Sequence, residues 1–461
     1  MLKNKQRSRK MDNLNKEILR LSIPTIVSNV TVPLLGLCDT AISGHLGSEL
    51  YLSAIAVGSV MLNVVFWIFG FLRGGTTGLT ANALGSNSSN EISKILYKAL
   101  MIAFGAGILI IVLQIPIFKG LWWIVGGDRE IEIFVNDYFK FRVWGSPALL
   151  ATMAISGWFV GMQNTFFPML IAILMNIINI IGSCVLVFFC DLGFNGIAIG
   201  TMLSNWLGLC VAVCCLLVFS KRNMINWKPD NLFRGEWLRY FFVNGNLFLR
   251  SLCIICVTMG VTAAGARLGN LTLAVNAVVM QFFLFFSFFM DGFAFSGEAM
   301  VGLRKGEQNY DSLDKCVGRL LQWTLGTGLV FSLFYLAGID SITGLLTESG
   351  NVAQGVSDLY FWIVAIPIVS CWAFIFDGFY IGITDTYKMM ISALLGGIIF
   401  FAIISLNFIE NSVGFPFQGN QIIWTAFIGY LATRGLYLAA MWKPSLKKLA
   451  KGVAENVQPH P

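Results

Sequence analysis

Long apolar runs constrain this chain more than any other feature. They recur along almost all of its 461 residues. Each is about twenty residues or longer, the length an α-helix needs to cross the hydrocarbon core of a bilayer. Twelve can be placed, at roughly 18–42, 52–82, 94–117, 133–157, 164–190, 195–219, 238–265, 272–302, 312–337, 353–381, 387–409 and 419–441. The second and eighth look overlong, which predicts tilt or extension beyond the bilayer. A transmembrane β-barrel would alternate apolar and polar residues over about ten positions, and these runs do not alternate. Hydrophobic residues make up 56% of the chain and charged residues 12%, against about a quarter charged in an ordinary soluble domain. A soluble enzyme could not cover its core with so little polar surface. A secreted disulfide scaffold and a disordered chain fit no better. The expected fold is an all-α polytopic membrane protein.

The net charge of +7 is unevenly placed. Lys3, Lys5, Arg7, Arg9, Lys10, Lys16 and Arg20 precede or open the first span. Lys221, Arg222, Lys228, Arg234 and Arg239 surround the middle of the chain, and Lys443, Lys447, Lys448 and Lys451 follow the last span. The opposite loops are short or acidic, with Glu49, Asp128, Glu130, Glu132, Asp191, Asp340, Glu348 and Glu410. Basic juxtamembrane loops mark the cytoplasmic side. Both termini and the 220–240 loop are therefore expected there, and no nucleic-acid partner is expected. The first apolar run continues past Asp39 without a small-residue cleavage pattern, so it reads as an uncleaved span.

The ten cysteines sit within or beside apolar runs and form no disulfide framework. Cys253 and Cys256 make one CxxC, without a second pair or a nearby histidine, and read as helix packing. His45 and His460 are the only histidines, which nearly excludes a histidine-based metal site. No cofactor is expected. No GxxxxGK[ST] loop, HExxH or Ser/His/Asp constellation is present in a plausible context, so neither an ATP-driven pump nor an intramembrane protease is indicated.

An internal repeat has a nearly constant offset of 221 residues. Gly157-Trp158-Phe159-Val160-Gly161 matches Gly378-Phe379-Tyr380-Ile381-Gly382, and Thr165 matches Thr386. Gly85 falls opposite Gly306, Leu52 opposite Leu273 and Gly44 opposite Gly265; His45-Leu46-Gly47 pairs with Arg267-Leu268-Gly269 after a shift of one. The repeat implies two pseudo-symmetric six-helix lobes of the same topology around a central cavity, which is a transporter architecture. The expected segments are a basic cytoplasmic N-terminus at 1–17, an N-terminal lobe at 18–219, a cytoplasmic linker at 220–237, a C-terminal lobe at 238–441 and a cytoplasmic tail at 442–461.

An ionisable side chain within a span needs a partner, a cavity or a function. Asp39, late in the first span, is either solvated near the outer interface or a cavity-facing carboxylate that exchanges a proton. Pro24, fifteen residues earlier, removes a helix hydrogen bond and allows a bend. Asn176, Asn179 and Ser183 in the fifth span, and Thr201 in the sixth, are interhelical hydrogen-bonding groups or, converging with Asp39, oxygen ligands for a small cation. In the second half, Asp291 and Glu298 share a helix face, Asp377 precedes Gly378, and Arg250 lies in the seventh span. Arg250 is expected to neutralise one of these acids, with Asp377 favoured; a substrate or coupling role for the acids stays open.

These residues bring a family into view. The chain resembles the MATE (multidrug and toxic compound extrusion) transporters, in their DinF-like branch, from about residue 15 to 442. The resemblance rests on Leu21-Ser22-Ile23-Pro24, on Asp39-Thr40-Ala41 followed by Gly44-His45-Leu46-Gly47, and on Leu52-Ser53-Ala54-Ile55-Ala56. It continues through Gly157 to Thr165, Leu247-Phe248-Leu249-Arg250-Ser251, Ala266-Arg267-Leu268-Gly269 and Met290-Asp291-Gly292 to Glu298-Ala299. It implies an efflux antiporter that exchanges an exported compound for H⁺ or Na⁺. Asp39 matches the family's coupling acid and Thr201 its span-six threonine. The family often has a second acid four residues after an asparagine in span five; here Asn179 is followed by Ser183. One charge is missing from the usual Na⁺ site, so H⁺ is favoured, with Na⁺ at Asp39, Asn179 and Thr201 as the other possibility.

The expectation is a monomeric, multi-pass antiporter of a bacterial inner membrane. Its partners are a small organic substrate, amphipathic or cationic, and membrane lipid. A flippase for a lipid-linked saccharide is the rival, kept open by Arg73, Lys140, Arg142 and Arg250. A membrane-embedded enzyme is disfavoured by the missing catalytic constellation.

Overall fold

The computed structural model describes residues 2–44, 49–126, 128–223, 237–409 and 419–457. His45-Leu46-Gly47 and most of the expected linker lie outside the described residues. The described chain is helical: α1 (Leu2–Gly44), α2 (Glu49–Ile68), α3 (Phe71–Gly85), α4 (Ser89–Val112), α5 (Gln114–Val125), α6 (Arg129–Val143), α7 (Ser146–Gly161), α8 (Phe166–Cys184) and α9 (Gly193–Asn223) in the first half. The second half contains α10 (Trp237–Arg267), α11 (Asn270–Gly306), α12 (Tyr310–Leu346), α13 (Gly350–Ser357), α14 (Tyr360–Gly382), α15 (Thr386–Ile409) and α16 (Asn420–Val457).

Among the described residues ten helices are long and apolar enough to cross a membrane, or eleven if α6 and α7, bent by 51°, form one span. They occupy eleven of the twelve expected places, and α1 occupies the first. The second and eighth spans are indeed long, at 36 and 37 residues, and so is the ninth at 37. The second is broken near Gly70 into α2 and α3. Where described, the expected N-terminal segment and tail continue α1 and α16 as helix.

The chain divides into two compact units: residues 23–238, and residues 1–22 with 239–461. The division cuts α1 between Ser22 and Ile23, one residue before Pro24. In the first unit α7 is the buried centre and packs on α3, α4 and α9, while α8 pairs with α9. Trp158 Nε1 donates to the Ile92 carbonyl at 3.1 Å, joining α7 to α4. In the second unit α14 takes the same role against α11, α12 and α16, and α15 pairs with α16. Val279, Phe286, Ile363, Phe400, Trp424 and Phe427 fill its core. Buried polar groups there bond across helices, as an apolar surround requires: Tyr335 donates to the Phe282 carbonyl at 2.8 Å, and Trp424 Nε1 to Asn276 Oδ1 at 2.8 Å. On α12, Leu329, Val330, Leu333, Phe334 and Leu336 are each more than half exposed, an apolar face suited to lipid.

The repeat is reproduced in the packing. A Cβ on Gly157 would lie 2.3 Å from the Arg73 carbonyl oxygen, and a Cβ on Gly378 would lie 2.3 Å from that of Ala294. Both pairs are 221 apart. The helix-ending turns also match: Asn87 and Gln308 have φ of 53° and 57°, and Gln163 and Thr384 have φ of 61° and 57°. Their hydrogen bonds follow the same register. Ser88 N–H donates to the Ala83 carbonyl, and Asn309 N–H to that of Arg304.

Candidate functional site

In the first unit the sequence concentrates oxygen atoms on α1, α8 and α9. Asp39 is buried, and its Oδ1 has no hydrogen-bond donor. Asn179 and Ser183 on α8 are buried as well, and Asn179 Oδ1 and Ser183 Oγ also lack partners. Asn176, Asn179 and Ser183 share one helix face by their spacing of three and four. Asn176 Nδ2 donates to Thr31 Oγ1 at 2.9 Å, which fixes α8 against α1. The two helices are an even number of spans apart and so run in the same direction. Eight residues along α1 and seven along α8, at about 1.5 Å per residue, carry Asp39 and Ser183 to similar heights beyond that contact.

The α9 wall is close. A Cβ on Gly200 would lie 2.6 Å from Ser183 Oγ, so only a glycine admits the hydroxyl there. Asn179 Nδ2 makes a long bond of 3.5 Å to Ser204 Oγ, which itself donates to the Thr201 carbonyl at 2.8 Å. Thr201 Oγ1 donates to the Ile197 carbonyl at 3.0 Å, leaving its lone pairs free to accept or ligate. Arg142 on α6 lies close enough to Asp39 for their charges to interact. It donates to Tyr138 Oη at 2.6 Å, and its Nε is buried without an acceptor. Arg142 entered the sequence reading only as a cavity cation for the rival flippase; its nearness to Asp39 depends on the packing of α6. Ser204 was missed altogether. No group of three or more His, Cys, Asp or Glu that could hold a metal occurs among the described residues. The arrangement offers one carboxylate with neutral oxygens: it can take up a proton, or ligate a monovalent cation with one formal charge.

In the second unit Arg250 meets Asp377, not Asp291 or Glu298. Asp377 Oδ2 accepts from Arg250 on α10 and also from Arg434 on α16. Arg434 donates to Tyr430 Oη at 3.0 Å, with its guanidinium over the Tyr430 ring. Arg434 escaped the sequence reading, although it lies in the last expected span and the rule that flagged Arg250 applies to it equally. Glu298 is buried on α11, and Asp291 on the same helix is partly exposed. Ser22 and Ser296 share a 2.7 Å hydrogen bond, tying the middle of α1 to α11. Pro24 and Pro33 are both accommodated within α1.

A twofold-repeated bundle of membrane helices is a transporter architecture. The chain belongs to the MatE family, whose model matches residues 24–185 and 247–406. It is a multi-pass membrane protein that carries small molecules and is not an enzyme. It is 33% identical to DNA damage-inducible protein F of Escherichia coli K12 over 430 residues, covering 93% of this chain and 92% of that one. It is 22% identical over 400 residues to a Bacillus cereus protein named probable multidrug resistance protein NorM, covering 82% and 85%. A MOP superfamily transporter from Pyrococcus furiosus has the same fold, with a TM-score of 0.83 at 16% identity over 95% and 96% of the two chains.

Proposed function

We propose that the chain is a cation-coupled antiporter that exports organic, amphipathic compounds, cationic ones among them, by alternating access, and that H⁺ rather than Na⁺ is the coupling ion. One observation carries the choice of ion. Asp39 Oδ1, Asn179 Oδ1 and Ser183 Oγ are buried oxygens without partners, and only one of the three belongs to a carboxylate. A carboxylate alone suffices to take up a proton. A Na⁺ ion in an apolar helix bundle would leave more of its charge to neutral ligands. In the cycle, protonation of Asp39 changes its hydrogen bonding, α1 bends near Pro24, and the compound is released outside. Coupling requires that proton and compound bind the two end states with different affinities. The names of the multidrug relatives support export of drug-like compounds. The basic termini support a cytoplasmic location for both ends of the chain, in the inner membrane of a bacterium, and a monomer is sufficient for the scheme.

The test is efflux of a cationic amphiphile from proteoliposomes under separately imposed proton and sodium gradients. Export driven by the proton gradient alone is expected. Export that requires Na⁺ and ignores the proton gradient would reject H⁺ coupling, and no gradient-driven export would reject the antiporter.

A further inference from the structure

Two arginines converge on one carboxylate inside the second unit. Asp377 and Arg434 are each 5% exposed. The Arg250 side chain is 19% exposed. Neither arginine has another acidic partner among the described residues. The cluster therefore holds one positive charge more than its carboxylate neutralises, within apolar helices where a charge is costly. Its donors are also under-used. Arg250 spends one nitrogen on Asp377, and Nε of both arginines is buried without an acceptor.

Packing alone does not call for these charges. At the repeat offset of 221, Asn29 stands in the place of Arg250 and Ser156 in the place of Asp377. The first unit nevertheless forms the same close glycine contact, at Gly157, that the second forms at Gly378. The surplus charge belongs to one half of a repeat whose other half is built without it. A planar guanidinium matches the two oxygens of a carboxylate or phosphate, and such charge-assisted pairs are the strong ones. Asp377 holds both arginines in position while cancelling only part of their charge.

We propose that Arg250 and Arg434, positioned by Asp377, form a binding site for an oxyanion, a carboxylate or phosphate carried by an amphipathic molecule. Arg250 is the accessible member and makes the direct contact. Arg434 lies deeper, supplies the second positive charge and is braced by Tyr430. The site places organic acids among the exported compounds, and in that respect it rests on the export reading. The oxyanion belongs either to a free amphipathic acid or to an anionic lipid headgroup.

The experiment uses the purified full-length protein in a neutral detergent and measures binding by thermal stabilisation. The probes are an aromatic amphipathic carboxylic acid, its methyl ester and a short-chain phosphatidic acid. The acid is expected to bind at least tenfold tighter than the ester. Arg250→Gln should lower acid affinity tenfold or more and change ester affinity less than twofold; Arg250→Lys, which keeps the charge and loses the fork, should fall between. Asp377→Asn, if folded, should tighten acid binding, because a competing carboxylate is removed. A stronger response to the acid or to the phosphatidic acid names the source of the oxyanion. Acid binding no tighter than ester binding, together with no response to the phosphatidic acid, overturns the site even if every variant unfolds, because that comparison needs only the wild-type protein. Selective acid binding without gradient-driven efflux from proteoliposomes would overturn the export reading and leave the site standing. Efflux of a cationic dye with neither acid selectivity nor a response to the phosphatidic acid would do the reverse.

Discussion

Glu17 on α1 and Arg304 on α11 form an ion pair of 2.8 Å across 287 residues of sequence. The same arginine donates to the Met300 carbonyl at 3.0 Å and to Ser312 Oγ at 3.3 Å. Next to it, Asn15 Oδ1 accepts from Arg319 Nε at 2.9 Å and from Trp323 Nε1 at 3.1 Å. These contacts bind the start of α1 to the unit formed by the C-terminal helices. Ile23 onward counts with the other unit.

Loss of this pair should weaken the protein modestly. Glu17 is partly exposed, its side chain at 36%, and exposed pairs contribute about 0–1 kcal/mol. Glu17→Gln should lower the melting temperature slightly. Arg304→Ala should lower it more, since it also removes two hydrogen bonds of a buried group. A double-mutant cycle checks the pair; a coupling indistinguishable from zero would show that the two residues do not stabilise one another.

The paired glycines at the centre of each unit make a sharper case. Gly157→Ala and Gly378→Ala each place a methyl 2.3 Å from a backbone carbonyl oxygen, and backbone cannot swing aside as a side chain can. Overpacking of this kind costs about 1–3 kcal/mol. Both variants should lose thermal stability by similar amounts. Gly318→Ala on exposed α12, where nothing lies within 4 Å, should be neutral or stabilising, because alanine is the better helix former. Melting curves of the three variants in one detergent decide it.

Asp39→Asn keeps the size of the side chain and removes the exchangeable proton. The variant should insert and fold normally yet lose proton-driven efflux, while binding of substrate survives. Asp39→Glu should keep part of the activity with a displaced pH optimum. Wild-type efflux rates at matched expression, with an unchanged pH profile, would remove Asp39 from the mechanism.

Ser183→Asp adds the second carboxylate on the α8 face that carries Asn179. Sodium dependence of efflux should increase relative to the wild type, measured with the proton gradient collapsed. No change would mean that Ser183 Oγ, though buried and unpartnered, does not share an ion with Asp39.

Much of the candidate site is legible in the sequence. Asp39, Asn179, Ser183 and Thr201 stand out because polar groups are rare in apolar runs, and rarity needs no structure to detect. The same rule applies to Arg434, whose pairing was not read. Its significance depends on Asp377, 57 residues away, and nothing in the spacing of the two selects that pair over Glu298 or Asp291. Arg142 is comparable: only the packing of α6 brings its charge within range of Asp39.

The sequence by itself determined the class of fold, the places of most spans and the twofold repeat. These follow from local properties: the length of each apolar run and the recurrence of glycine-bounded motifs at 221 residues. In lipid, backbone groups must pair within a segment, so a long apolar run has little choice but helix. The tertiary structure alone decided that α1 divides between two units at Ser22 and Ile23, and that Arg434 joins Arg250 on Asp377. Those outcomes turn on which helix faces meet, and faces are chosen by the fit of side chains from distant segments, which one-dimensional spacing does not encode.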